Sequence, residues 1–260
     1  MKYSAYMSSL VQSTSGRFLG STQIRARHGF STRIGGVSTG RYASLNVGAR
    51  WGDDGALVDE NRRLLGADAG FDPLRLATVR QVHGGICAVN EGLDRAALAL
   101  VEADALLCTE PGRTVGVYTA DCVPILFCDD AGRVAAAHAG WRGTLAGIAA
   151  ATVEALVLAG ARRETIRAAI GPSIGPCCFA VGEEVATAFD AIEGAVQRRP
   201  ESKPHVDLRR ANRTLLVAAG IDPARIDAQP PCTFCEPDRF FSFRRDGGGI
   251  GQMLSFITAG

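Results

Sequence analysis

The sequence has almost no net charge: 28 Lys and Arg stand against 27 Asp and Glu, leaving +1 over 260 residues. No bulk field therefore draws nucleic acid or an anionic membrane, and an anionic ligand has to be held by local groups. Long apolar runs are missing as well. The longest, Leu145 to Gly160, is interrupted by Glu154 and falls short of the ~20 residues that span a bilayer. The opening MKYSAYMSSLVQSTSGRF lacks the apolar core of a secretory signal, so a cytoplasmic chain is expected. Eight cysteines in a chain of this size do not make a disulfide framework. They are expected as reduced thiols, most of them small buried hydrophobes.

No internal repeat, low-complexity tract or Pro/Gly/Ser-rich linker divides the chain, so residues 1–260 read as one domain, with 1–24 as an irregular N-terminal extension. Glycines and hydroxyl residues dominate HGFSTRIGGVSTGRYASLNVG, which reads as a functional loop. A helix is expected over 59–70, stopped by Gly70, and a strand pair over 75–90 around Gly84 and Gly85. The clearest helix runs from Thr144 to Ala159 with Gly160 as its cap; further helices are expected near 183–192 and from Asp207 to Ala219. Strands and helices mix without strict alternation, which points to an α+β fold.

Chemistry concentrates in TADCVPILFCDDAGRVAAAHAGWRG, two apolar strands around the turn residues Asp129 to Gly132. Cys122 lies eight positions before Asp130 and His138 eight after it. To within one residue of register they are cross-strand neighbours, with Cα atoms about 4.5 to 5.5 Å apart. A thiolate and an imidazole so placed can share a metal ion or form a nucleophile pair. The plain alternative is a buried thiol and a hydrogen-bonded core histidine, but both polar positions fall at the same open end of the hairpin. The amides of Gly143, Thr144 and Leu145, at the expected start of the long helix, should point back at His138 and, with Arg142, form an anion site. A catalytic zinc needs a third ligand. Of His28, His83 and His205, we choose His83, which ends a strand and is followed by two glycines that permit close backbone approach.

Five motifs together resemble the laccase-domain (YfiH/YlmD-like) family: QVHG at His83, TADCVPI at Cys122, HAGWRG at His138, the early glycine-rich stretch, and CTFCEPDRFFSFRRDG near the end. The resemblance runs from about residue 28 to the C-terminus. It implies a single α+β domain of two packed mixed sheets with helices outside, in α/β/β/α layers. It also implies zinc held by His83, Cys122 and His138, with Arg33 and Arg142 lining the pocket. The activity implied is a purine nucleoside phosphorylase that also cleaves methylthioadenosine and deaminates adenosine, with purine nucleosides and phosphate as its partners. One departure is visible: Gln252 stands where the family usually has Arg, exchanging a charged contact for a neutral one.

Asp121 is the candidate for proton transfer, its alternative being a turn residue or an orienter of a ligand. Four histidines cannot furnish a multicopper cluster, so phenol oxidation is disfavoured, although a single copper in the same trio is admissible. A second rival is a cysteine hydrolase using Cys122 and His138, in which His83 would be redundant. The Cys232–Cys235 C-x-x-C resembles half of a cytidine-deaminase zinc signature, but no His-x-Glu accompanies it, and it reads as packing or structural. Cys177 and Cys178 receive no role.

Overall fold

The computed structural model describes residues 10–90 and 92–260. The chain opens with β1 (Leu10–Gln12), β2 (Phe18–Ser21), β3 (His28–Ser31), α1 (Gly55–Ala69), β4 (Leu76–Ala77), β5 (Cys87–Val89) and α2 (Arg95–Leu98). Its middle holds β6 (Ala105–Cys108), β7 (Thr114–Thr119), β8 (Val123–Cys128), β9 (Val134–Ala139), α3 (Trp141–Leu145), α4 (Ile148–Leu158) and β10 (Arg167–Ile170). The last third contains α5 (Glu183–Ala188), β11 (Val196–Gln197), β12 (His205–Val206), α6 (Leu208–Ala218), β13 (Ile226–Asp227), α7 (Phe243–Asp246) and β14 (Met253–Thr258). No helix among the described residues is long and apolar enough to cross a membrane.

Two six-stranded sheets dominate, in the orders β1-β2-β3-β14-β7-β4 and β13-β10-β8-β9-β6-β5. Both are mixed: β4–β7, β5–β6 and β10–β13 pair parallel, and the other neighbours pair antiparallel. The layering follows from side-chain alternation. In β9, Val134 and Ala136 face the first sheet, while Ala135, Ala137 and Ala139 face α4. In β14, Met253 and Ile257 enter the inter-sheet core, whereas Leu254 and Phe256 meet Leu65 and Phe71 at α1. Strands apolar on both faces thus force helices onto both outer surfaces, and the α/β/β/α arrangement results.

Several local expectations change. The helix at 59–70 begins earlier, at Gly55, where the Asp54 side chain accepts from the Ala56 amide; it ends at Gly70 with φ +74°, a conformation that favours glycine. The strand pair over 75–90 is no hairpin: β4 joins the first sheet and β5 the second, so the segment between them crosses the sandwich. The helix expected from Thr144 is broken at Gly147, which has φ +79°, into α3 and α4. Leu10–Gln12 and Phe18–Ser21, expected to be irregular, form paired edge strands, while residues 1–9 of that stretch lie outside the described residues.

Gly29, in β3, shows how tightly the first sheet is packed. A Cβ there would lie 2.7 Å from both Phe18 and Phe256. Gly29→Ala should therefore destabilise the fold by about 1–3 kcal/mol through overpacking; urea unfolding monitored by circular dichroism measures this.

Candidate metal centre

The β8–β9 hairpin turns one residue later than its sequence suggests. Val123 pairs with Ala139 and Pro124 with His138, which centres the turn on Ala131. Asp129 fixes this geometry: its Oδ1 accepts from the Ala131 and Arg133 amides at 2.9 Å, and Gly132 takes φ +86°. A one-residue shift of the turn moves the register by two. Cys122 thus lies diagonal to His138 instead of opposite it, which corrects the one-residue tolerance expected above. An offset of two preserves the face, whereas an offset of one would have separated the side chains.

His138 faces Asp104 directly, because β6 pairs with β9 and the ladder continues through the His138 amide to the Asp104 carbonyl at 2.7 Å. The Asp104 carboxylate accepts from His138 Nδ1 at 2.7 Å, from the His83 amide at 2.9 Å and from the Gly84 amide at 2.6 Å. One buried carboxylate therefore fixes the imidazole tautomer, turns His138 Nε2 away from itself, and holds the crossing segment that carries His83. His83 adopts φ +64°, a strained value for a non-glycine residue, inside this cradle. Gln81 anchors the same segment by pairing with both backbone groups of Tyr118.

The ligand atoms of His83, Cys122 and His138 lie within 4.8 Å of one another. The two imidazole rings meet edge to face, with centroids 4.8 Å apart. Gly140 closes the cradle: a Cβ there would lie 3.0 Å from Cys122 Sγ and 3.1 Å from the His83 ring. Gly85 has a similar reason, since its Cβ would meet the Ala146 carbonyl at 2.5 Å. Two imidazoles and a thiol at this spacing, one imidazole already bonded through its other nitrogen, have the donor set to hold a metal ion. Burial opposes ionisation of Cys122, but the charge and hydrogen bond of His138, then His83, outweigh it and draw the thiol down to about 6. Burial likewise opposes charge on His138, which Cys122 and Asp104 nonetheless raise to about 9. Asp104 is held below the ordinary carboxylate range: burial works against this, and the His138 hydrogen bond and the Gly84 amide prevail.

His83 also lines a cavity of about 670 Å³. Arg50, Arg62, Arg80 and Arg95 line it too, together with Tyr118 and Gln252. Neither Arg33 nor Arg142 lines this cavity. Arg33 donates to the carbonyls of Ala43 and Pro237, and exposed Arg142 stacks on Trp141 at 4.2 Å. Of the amides expected to form an anion site at Gly143 to Leu145, that of Thr144 is taken, because α3 starts at Trp141 and the Thr144 amide bonds the Gly140 carbonyl. Asp121 is buried, and both its oxygens are taken: Thr233 Oγ1 donates at 2.5 Å, Ser242 Oγ at 3.0 Å and the Arg244 amide at 2.7 Å. The other histidines serve the scaffold. His28 bonds the Ala26 carbonyl and the Ser21 amide, and His205 bonds the Pro176 carbonyl.

Fold and site together define a four-layer α+β protein with a half-buried His₂Cys cluster at one end of its second sheet. The chain belongs to the family described as multi-copper polyphenol oxidoreductase laccase, which matches residues 27–260. It is 43% identical over 234 residues to a Deinococcus radiodurans protein named purine nucleoside phosphorylase, covering 88% of each chain. It is 42% identical over 242 residues to adenosine deaminase RL5 from an unknown prokaryotic organism, over 88% of this chain and 92% of that one. The crystal structure of YlmD from Geobacillus stearothermophilus superposes with a TM-score of 0.90 at 37% identity, covering 97% of this chain and 99% of that one. Among the described residues, the trio is the one metal-competent group that contains imidazoles.

Two predictions follow the geometry of Asp104 and Cys122. Asp104→Asn should weaken the affinity of the trio for added Zn²⁺ about 10–100-fold, read by competition against a chelator; unchanged affinity, or no affinity in the native protein, would contradict the orienting role. In metal-free protein, alkylation of Cys122 should rise through pH 6, because the thiol is protonated and unreactive below that value and a thiolate above it. Peptide mapping separates it from the other cysteines, and a midpoint near 9 would refute the pairing with His138.

Proposed function

We propose that the chain is a zinc-dependent purine nucleoside phosphorylase acting on adenosine, inosine, guanosine and methylthioadenosine, with adenosine deaminase as a side activity. The observation that carries this reading is the double position of His83, which belongs both to the His₂Cys cluster and to the wall of the arginine-lined cavity. The volume suits a nucleoside-sized ligand. Its guanidiniums offer the forked donors that phosphate takes, and Tyr118 offers an aromatic wall for a base. The names of the relatives supply the substrate class.

In this reading His83, Cys122 and His138 hold the ion. Bound there, zinc supplies a Lewis-acid face and a water acidified to a pKa of about 7. The cavity arginines hold phosphate for attack on the ribose anomeric carbon as the purine departs. This moves the phosphate site from Arg33 and Arg142 to the groups that share the cavity with His83. Asp104 keeps the His138 Nδ1 proton in place. Asp121, whose oxygens are engaged by Thr233, Ser242 and Arg244, acts as a positioning residue beside Cys122 in preference to a proton donor. The donor set admits copper as well as zinc. Eight free thiols accord with a reducing cytoplasm.

A second reading rests on the ionised Cys122–His138 pair and the Asp104 carboxylate behind it, the layout of a cysteine hydrolase. His83 separates the two. Incubation with inosine or adenosine, with and without phosphate, should release free base or ammonia. His83→Ala should lose bound zinc together with at least about 100-fold in turnover. Full turnover by a metal-free His83→Ala protein would reject the zinc reading, and binding without turnover in the native protein would mark a nucleoside sensor.

A further inference from the structure

The four cysteines left without chemistry by the sequence converge in space. Cys177 and Cys178 lie in the loop after β10, Cys232 and Cys235 in the segment after β13, and all four Sγ atoms fall within 4.8 Å of one another. Cys235 Sγ is 3.6 Å from Cys177 and 3.4 Å from Cys178. In a regular tetrahedral tetrathiolate with metal–sulfur bonds of about 2.3 Å, the sulfurs stand about 3.8 Å apart. The adjacent pair and the C-x-x-C therefore already occupy positions close to the corners of such a site.

The surroundings favour one thiolate, at Cys232, while the Cys232 hydrogen bond at Cys177 and burial at Cys178 raise those two thiols, so a metal ion has to displace their protons. The Gly175 amide donates to Cys232 Sγ at 3.2 Å. Hydrogen bonding from Cys177, then from the Gly175 and Cys235 amides, with the charge of Arg209, brings Cys232 down to about 4 against the effect of burial. Arg209 also clamps the two segments together, donating to the Pro230 carbonyl at 2.8 Å, the Pro231 carbonyl at 2.9 Å and Ser173 Oγ at 3.1 Å. The Thr233 amide bonds the Ser173 carbonyl at 3.1 Å, so the segments form a short parallel bridge beside the sulfurs. A Cβ on Gly175 would lie 3.1 Å from Cys177 Sγ and 3.3 Å from Arg209. Sulfhydryls are weak donors and acceptors, so four neutral thiols satisfy one another poorly at these distances. A disulfide from Cys235 to Cys177 or Cys178 would join two sulfurs and leave the other two without a shared partner.

We propose that Cys177, Cys178, Cys232 and Cys235 form a second metal centre, separate from the His₂Cys cluster, that binds Zn²⁺ as a tetrathiolate and staples the 171–181 loop to the 230–240 segment. Binding replaces the remaining thiol protons, which pass to solvent, with four metal–sulfur bonds. Arg209 offsets part of the resulting negative charge. The staple lies next to the first cluster: Thr233 follows Cys232 and bonds Asp121, the Ile174 amide bonds the Asp121 carbonyl, and Asp121 precedes Cys122. The second ion thus holds the two segments that bond Asp121, the neighbour of Cys122, and touches none of the residues that line the cavity.

X-ray absorption at the zinc edge of the full chain, prepared with reductant and Zn²⁺, tests this without any variant. Sulfur should outnumber nitrogen around zinc, whereas the His₂Cys cluster alone gives the reverse. A His83→Ala/His138→Ala protein should retain about one metal per chain and, loaded with Co²⁺, show the intense visible bands of a tetrathiolate. Cys232→Ser/Cys235→Ser should halve the metal content and lose those bands. Nitrogen-dominated zinc at one ion per chain in the native protein overturns the proposal. So does a metal-free His83→Ala/His138→Ala protein that is folded by circular dichroism, or a Cys235 disulfide formed in preference to metal. None of these results bears on nucleoside turnover, so the staple and the phosphorylase reading fail separately.

Discussion

The structure depends most on one buried carboxylate. Asp104 lies where β6 meets β9, and its two oxygens gather the His138 imidazole and the amides of the segment that carries His83. Without that anion the half-buried amides at 83 and 84 would lose their acceptor, and His138 would be free to turn. Its charge is supported by the amides of Val82, His83 and Gly84 and by the proton on His138 Nδ1. Cys122 then needs only to project from the neighbouring strand onto the same face. The cluster is therefore a property of three adjacent strand ends and one crossing segment, fastened at a single point.

The sandwich explains why the cluster lies there. Cys122, Asp104 and His138 share the parity of Leu126, Leu106 and Ala136, whose side chains fill the space between the sheets. At the sheet end this apolar interface opens, and polar groups of the same parity take its place. The chain crosses there from β4 in the first sheet to β5 in the second, bringing His83 and the cavity beside it. Small residues make the crossing possible, with Gly85 against Ala146 and Gly140 beneath the three ligand atoms.

Much of this was legible in the residues. The open end of the hairpin carried a thiol and an imidazole on one face, and the two glycines after His83 marked a close approach that the structure realises at Ala146. Asp104 was not legible. In ADALLC it reads as a strand end, and its role depends on β6 lying against β9 in one register, a non-local pairing that no local pattern encodes. Arg33 and Arg142 show the converse, since a guanidinium in a motif gives no indication of whether it meets solvent, a carbonyl or a ligand. The cysteines divided as 177–178 and 232–235 had no meaning apart for the same reason.

The sequence by itself determined the α+β class, the main helix stops and which His and Cys side chains stand out as candidates, because periodicity, turn chemistry and scarcity are local properties. Tertiary structure alone decided the two-residue stagger of the hairpin, the carboxylate behind His138, the arginines around the cavity and the meeting of the four sulfurs. These are contacts between segments distant along the chain, set by strand order and by how two sheets stack, and alternation within one segment cannot specify its partner in another.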